Sequence, residues 1–371
     1  MKLIDESIKE TQHVRFYLDE RDSLSGLDEI PISKFQKALV FCDQNLQKTW
    51  WKKIESILKN QIQIDGLMFL EPSENTKSLS YYSVLVDFLG EKKCSRDTLI
   101  IVIGGGTILD AIAYLASTYM RGIPLMMIPT TLIGQADAST AGKTCINTSY
   151  SKNALGTLFL PKFVYNNVAI LETNSSYELR QGFSEIFKYG LLGSQKLLML
   201  LSEYSKDACK GKLLEILSET IKVRMELRKK DPLCSNFGHT FGHALEKISD
   251  YSVNHGDAIS AGMVMAMHFS VEEGILSQKL VDKIINSMSE IGLNTKISND
   301  ISPEKLTQIM LTDKKSSNTE IRLVLIEDIA KPFKSKNSNF YSVDPKRIQK
   351  FLEGFNGKSK FIEASHWENL R

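Results

Sequence analysis

The chain has 371 residues, 42% of them hydrophobic and 24% charged, which is the balance of a folded protein rather than a disordered one. Its 46 Lys and Arg against 44 Asp and Glu leave a net charge of +2, too small for capture of nucleic acid through counterion release. The length suits about two domains of roughly 100–200 residues each.

Residues 1–6 carry no apolar stretch of signal-peptide length. No window approaches the ~18–20 uninterrupted apolar residues of a membrane span, so a cytoplasmic protein without membrane contact is expected. Apolar runs of strand length follow at Lys37–Asp43, 66–71, 98–103 and 124–129. Their near-continuous hydrophobicity predicts parallel strands buried on both faces. Amphipathic segments at 46–59 and 79–89 lie between them, the βαβ alternation of an open parallel sheet. After about residue 175 helical spacing dominates, at 177–192, 195–205, 212–229, 241–248, 258–273 and Pro303–Leu311, with one strand-like run at 321–326. An α/β domain over 1–175 and a mainly α-helical domain over 176–371 are expected, closely packed with a cleft between them. The tail 344–371, with Trp367, shows no motif. Cys42, Cys94, Cys145, Cys209 and Cys234 are odd in number without CxxC spacing and read as reduced thiols.

The strand at 98–103 runs into Gly104-Gly105-Gly106-Thr107 and then a helical stretch. Such glycines let a backbone approach a pyrophosphate at a helix N-terminus, although a plain tight turn uses them too. Asp110 reads as a cap or as a ribose ligand, and Glu74 and Lys77 as further contacts or as a solvated loop. Pro129-Thr130-Thr131 ends another strand, where open α/β sheets place ligands. Beyond it Lys143, Lys152 and Asn153 suit a phosphate or polyol, or else two ordinary surface loops.

Of six histidines, three fall in the seventeen residues from His239 to His255. His239 and His243 are four apart and share a helix face, a spacing that brings two imidazoles to one centre. Glu185 stands among apolar neighbours in Phe183-Ser184-Glu185-Ile186-Phe187-Lys188. A Glu, His, His set with open positions is a catalytic rather than a structural metal arrangement.

In order, Gly104–Asp110, Tyr119-Met120-Arg121-Gly122, Ile128–Thr131, Gly142-Lys143-Thr144, Lys152-Asn153, Glu185–Gly190, Asn236–His243 and His255-Gly256-Asp257 resemble the sugar-phosphate cyclases typified by 3-dehydroquinate synthase. The likeness spans about residues 35–335. It implies a Rossmann-like α/β domain followed by a helical one, and a homodimeric NAD enzyme with divalent zinc or cobalt. By that resemblance Glu185, His239 and His255 match metal ligands. Asp43, Glu74, Lys77, Gly105, Gly106, Thr107, Asp110, Thr130, Thr131, Asp137, Lys152 and Thr173 match positions that hold NAD. Asp137, Lys143, Lys152, Asn153, Lys188, Asn236, His243 and Lys331 match catalytic, substrate-contacting positions. Arg121 resembles an arginine lent to the neighbouring subunit's phosphate site. The implied reaction oxidises a secondary alcohol, expels phosphate, returns the hydride and closes a carbocycle by aldol addition, as in the shikimate pathway.

The stretch from Lys222 to Asn236 departs from that pattern and is shorter. Arg224 stands where the family has a lysine, and Pro232 where it has an arginine, both tied to the substrate carboxylate. Two substrates follow: a 3-deoxy-heptulosonate 7-phosphate, favoured by Asn236, or a carboxylate-free sugar phosphate such as sedoheptulose 7-phosphate or glucose 6-phosphate, favoured by the short segment. Iron-dependent alcohol and polyol dehydrogenases share the two-domain plan and the glycine loop. A non-catalytic NAD-binding relative is the third class.

Overall fold

The computed structural model describes residues 13–149, 151–230, 234–296, 301–312, 319–335 and 338–355. Residues 1–6, Pro232 and Trp367 lie outside them. The chain divides into two compact units, one of residues up to Thr130 with Ala141–Asn167, the other of Thr131–Thr140 with everything from Val168 onward.

In the first unit the apolar runs become strands of one six-stranded parallel sheet. In chain order come β1 (Arg15–Asp19), β2 (Lys37–Asp43), helix α1 (Trp51–Lys59), β3 (Ile64–Leu70), α2 (Leu79–Glu91), β4 (Thr98–Gly104), α3 (Gly106–Thr118) and β5 (Leu125–Pro129). After a one-turn α4 (Ser139–Ala141), whose first two residues belong to the second unit, an antiparallel hairpin of β6 (Lys143–Ile146) and β7 (Leu155–Leu158) and then β8 (Phe163–Asn167) follow. The sheet runs β1-β8-β5-β4-β2-β3. β4 and β5 are buried at every residue, which is why their sequences carry no polar alternation. Two strands escape the hydrophobic pattern, β1 and β8. Three of their polar residues pair, while the buried Asn166 amide of β8 makes no hydrogen bond: the Tyr165 hydroxyl donates to Asp19 Oδ2 at 2.7 Å, and Asn167 Nδ2 donates to the Tyr165 oxygen and to the Arg21 carbonyl. Buried polar groups so paired are compatible with a sheet interior.

The expected helix at 46–59 is shorter, α1 beginning at Trp51 after a 3-10 turn at Gln44–Leu46. The stretch read as surface loops beyond Thr131 is ordered, with a π-helical turn at Gly134–Ala138 and then the hairpin. π-turns are rare and gather at functional sites.

The second unit holds α5 (Ser176–Gly193), α6 (Gln195–Lys206), α7 (Lys210–Lys230), α8 (His239–Ile248), α9 (His255–Glu272), α10 (Gln278–Glu290) and α11 (Pro303–Leu311). Short strands β9 (Ile321–Leu323), β10 (Ile326–Asp328), β11 (Lys331–Pro332) and β12 (Tyr341–Val343) precede α12 (Pro345–Phe355). The single run expected at 321–326 is thus two strands in separate pairs, β9 with β12 and β10 with β11. The segment from 344, which shows no motif, contains α12, whose Ile348, Phe351, Leu352 and Phe355 are buried. Phe351 meets the Phe241 ring at a tilt and the Phe269 ring edge to face.

Helix α5 starts at a capping box, Ser175 and Glu178 each satisfying the other's backbone N–H. It is buried without interruption from Gly182 to Leu192, so it forms the core of the unit. Helices α8 and α9 approach backbone to backbone. A Cβ on Gly262 would lie 2.2 Å from the Gly238 carbonyl oxygen, and one on Gly238 2.8 Å from Met263 N. Gly238 also has φ +76°, the left-handed region that favours glycine. That contact is the physical reason for glycines beside the histidines of Gly238-His239-Thr240-Phe241-Gly242-His243.

Candidate active site

Two charged residues sit inside the buried stretch of α5, Glu185 at 0% and Lys188 at 1% exposure. An uncompensated carboxylate there costs several kcal/mol, and its surroundings supply the compensation. Oε2 accepts a short hydrogen bond from the Lys188 ammonium one turn on. Oε1 lies 3.4 Å from His255 Nε2 and 3.7 Å from His239 Nε2, with no well-formed hydrogen bond of its own. Burial would raise the Glu185 carboxyl, but the Lys188 charge and the two imidazoles outweigh it and hold it well below the carboxylate range.

Each imidazole is oriented from behind. His239 Nδ1 lies 3.1 Å from the Phe237 carbonyl, to which its N–H donates, leaving the Nε2 lone pair toward Glu185. Burial and then the Lys188 charge push His239 well down. His255 Nδ1 lies 3.3 Å from Glu246 Oε1. Burial disfavours a charged His255, yet the Glu185 and Glu246 carboxylates beside its two ring nitrogens lift it to about 10. Glu185, His239 and His255 each place one ligand atom within 4.8 Å of the others. A hard carboxylate oxygen with two imidazole nitrogens is a donor set that fits zinc or cobalt. His243, Glu246 and His255 form a second such group.

In the first unit, β4 ends in the glycines and α3 begins at Gly106, with Gly105 as N-cap and no side chain closing the helix end. Its opening N–H groups suit a diphosphate. Asp43, buried at the tip of the adjacent β2, accepts from Asn45 N at 2.9 Å. Glu74, Lys77, Asp110 and Asn153 belong to one network. Buried Lys77 Nζ pairs with Asp110 Oδ2 at 2.5 Å, and the Cys145 thiol lies 3.5 Å from that oxygen and 3.2 Å from Asn153 Oδ1. Asn147 Nδ2 donates to Glu74 Oε2 at 2.6 Å, and Asn147 Oδ1 accepts from Asn153 N at 2.8 Å.

Residues 67–181 match the family described as 3-dehydroquinate synthase N-terminal, and 182–316 that described as 3-dehydroquinate synthase C-terminal. The chain belongs to the 3-dehydroquinate synthase family.

The 3-dehydroquinate synthase of Francisella tularensis subsp. tularensis (strain WY96-3418) is 32% identical over 305 residues, 79% of this chain and 85% of that protein. That of Desulforamulus reducens is 33% identical over 309 residues, 81% and 86%. Among solved structures, a 2-deoxy-scyllo-inosose synthase complexed with carbaglucose-6-phosphate, NAD+ and Co2+ superposes with a TM-score of 0.83 at 21% identity, covering 91% of this chain and 96% of that one. A 2-epi-5-epi-valiolone synthase from Streptomyces hygroscopicus subsp. jinggangensis 5008 with NAD+ and Zn2+ reaches 0.82 at 20%, covering 96% and 100%. A 1,3-propanediol oxidoreductase reaches 0.68 at 11%, so the cyclases and the dehydrogenases share the fold.

The other positions matched to the 3-dehydroquinate synthase pattern fall on elements of both units. Asp137 lies on the π-turn, where its Oδ1 accepts a short hydrogen bond from the Tyr189 hydroxyl and sits 3.5 Å from Arg224 Nε. Arg224 is 3% exposed, and its Nε and Nη1 make no hydrogen bond. Its guanidinium lies 5.3 Å over the Tyr189 ring. Thr130 N donates to the Gly104 carbonyl, Thr131 Oγ1 accepts from Gly134 N, and Thr173 Oγ1 donates to the Ile170 carbonyl. Lys143, Lys152 and Asn153 are exposed around the hairpin, and His243 is exposed on α8. Asn236 is half-buried on a 3-10 turn. Lys331 is exposed and paired with Glu327 at 2.8 Å. Exposed Arg121 (φ +67°) and Met120 (φ +48°) are both left-handed, a costly pair for non-glycine residues. Among the described residues no helix is long and apolar enough to cross a membrane.

Sequence reasoning missed Glu246, Tyr189, Cys145 and Asn147. Glu246 had a signal: three residues after His243 and seven after His239, it shares their helix face.

Proposed function

We propose that the chain is an NAD- and metal-dependent sugar-phosphate cyclase of the 3-dehydroquinate synthase type, eliminating phosphate from a 3-deoxy-heptulosonate 7-phosphate and closing a carbocycle. The observation that carries the reading is the convergence of Glu185, His239 and His255, each held by a further partner, in a chain whose curated relatives are 3-dehydroquinate synthases. These three would hold a zinc or cobalt ion, while Asp43, Lys77, Asp110 and the N-terminus of α3 would hold NAD. When bound, NAD supplies a reversible hydride acceptor and the ion supplies fixed positive charge for oxygens that become anionic.

The chain's own residues do the rest. Lys188 neutralises one Glu185 oxygen and leaves the other for the ion. Exposed His243, on the same face of α8 as His239, carries protons to and from the substrate. Lys143, Lys152 and Asn153 hold the phosphate and orient it to leave. Arg224 favours the acid substrate: a buried guanidinium whose Nε and Nη1 make no hydrogen bond keeps charge-assisted donors for a carboxylate. The chain acts as a homodimer, Arg121 reaching the partner's phosphate site from its strained turn.

Metal-loaded protein and NAD, incubated with a panel of sugar phosphates and assayed for inorganic phosphate, test this. Release from the seven-carbon keto-acid phosphate alone supports the assignment. Release only from carboxylate-free sugars moves it to the alternative cyclases, and NADH build-up from phosphate-free polyols moves it to the dehydrogenases.

A further inference from the structure

Helix α9 begins with His255, but the residue before it, Asn254, makes no side-chain cap. The opening N–H groups of a helix need acceptors and present the positive end of its dipole. Here the acceptor comes from another helix. Gln181 Oε1, on α5, accepts from Gly256 N at 2.6 Å and from Asp257 N at 3.3 Å.

Gln181 lies four residues before Glu185, one turn back on the same face of α5. One side chain of α5 thus grips the first turn of α9, and the next meets that turn's imidazole. Gly256 makes the grip sterically open: a Cβ there would lie 2.6 Å from Gln181 Cα and 2.7 Å from Gln181 Oε1. Two N–H donors facing Oε1 also fix which end of the amide points at α9. The Gln181 Nε2 is buried with no acceptor among the described residues, so the carbonyl's two bonds alone set the orientation. Glu246 holds His255 from a different direction, through ring Nδ1. Gln181 sets the backbone of His255 and Glu246 sets its ring rotation.

We propose that Gln181 is a positioning residue for the metal centre, capping α9 from α5 so that His255 Nε2 is held at ligand distance from Glu185 Oε1. This rests on the reading of Glu185, His239 and His255 as the ligand set.

The test is cobalt titration of metal-stripped full-length protein, read by the visible cobalt spectrum and by competition with a chelating dye. Gln181→Met keeps length and removes the acceptor. Weakening of cobalt affinity by about 10–100-fold, the range for outer-shell partners, is expected, with an altered spectrum at saturation. Gln181→Glu keeps the acceptor and is expected to restore both. Ser277→Ala is the structural comparison, since Ser277 Oγ caps α10, a helix with none of the three ligands. It should lower the melting temperature of the apoprotein while leaving cobalt binding as in the wild type. Wild-type affinity and spectrum in Gln181→Met overturn the proposal. If that variant does not fold, Gln181→Asn, one methylene too short to reach both N–H groups, is read in the same way. Glu185→Ala separates the two levels. If it binds cobalt as tightly as wild type, or if the wild type binds none, the ligand reading fails and the proposal with it. If it loses cobalt while Gln181→Met keeps it, only the positioning role fails.

Discussion

Glu185 and Lys188 form an ion pair one helical turn apart in the interior of α5, and both are almost entirely out of water. Removing one partner of such a pair leaves the other charged and unpaired, at about 3–5 kcal/mol. Metal-free Glu185→Gln is therefore expected to melt well below the wild type. Adding Lys188→Met removes the stranded ammonium and should recover most of the loss. Neither variant should regain metal binding, because the oxygen facing both imidazoles no longer carries charge. Thermal melts with and without zinc check both parts, and a single variant as stable as the wild type would sink the account of the pair.

Arg224 presents the opposite balance. Its guanidinium is buried, Nε and Nη1 make no hydrogen bond and the Asp137 carboxylate stands 3.5 Å from Nε, and a buried donor without a hydrogen bond costs about 1–3 kcal/mol. Asp137 keeps its hydrogen bond from Tyr189 whether or not the arginine is present. Arg224→Met is expected to fold with stability equal to or above the wild type, while turnover of a carboxylated sugar phosphate falls by about a hundredfold, a hydrogen bond between charged partners being worth up to about 3 kcal/mol. Arg224→Lys should keep part of that activity, since it returns the charge without the planar fork. A large loss of stability in Arg224→Met would mark the residue as structural.

How much of this was legible follows from what each residue requires. β4 and β5 announce themselves because burial on both faces forbids polar residues, so the sequence pattern is the burial pattern. β8 ends in two asparagines and looks like a loop. It is a strand because Asn167 finds its partners on Tyr165 and on the Arg21 backbone, contacts that only the folded sheet supplies. The density of histidines and an acidic residue amid apolar neighbours pointed to a metal site before any coordinates. The link from Glu185 to His255 needed the family likeness, and Gln181 and Glu246 needed the helix phases. A side chain that caps a helix distant in sequence leaves no periodic trace in its own segment.

The cysteines give a chemical check on the first unit. Burial and the neighbouring Asp43 carboxylate push the Cys42 thiol up to about 12, and burial with Asp110 does the same to Cys145. The thiolate is the reactive form, so both thiols are expected to react slowly in the folded protein. Cys209 is exposed. Brief alkylation of the native protein followed by peptide mass mapping should label Cys209 first and leave Cys42 and Cys145 until denaturant is added. Labelling of Cys145 as fast as Cys209 would contradict its place beside Asp110 and Asn153.

Asp19 couples the first unit to acid. Burial alone would raise its carboxyl, but hydrogen bonds from Arg21, Tyr165 and the Arg21 and Gly26 N–H groups outweigh that and lower it. A carboxyl lowered in the folded state contributes stability that is complete above its unfolded value, about 3.9, and that drains away as pH falls through the lower folded value. Asp19→Asn removes the charge and sets an amide N–H against donors. At neutral pH it is expected to cost about 1–3 kcal/mol. Below about pH 4 the two proteins should converge, as the wild-type carboxyl takes up its proton. Urea melts of both proteins from pH 7 down to pH 3 measure the gap. A gap that stays constant or widens toward acid would show that the network holds Asp19 without its charge.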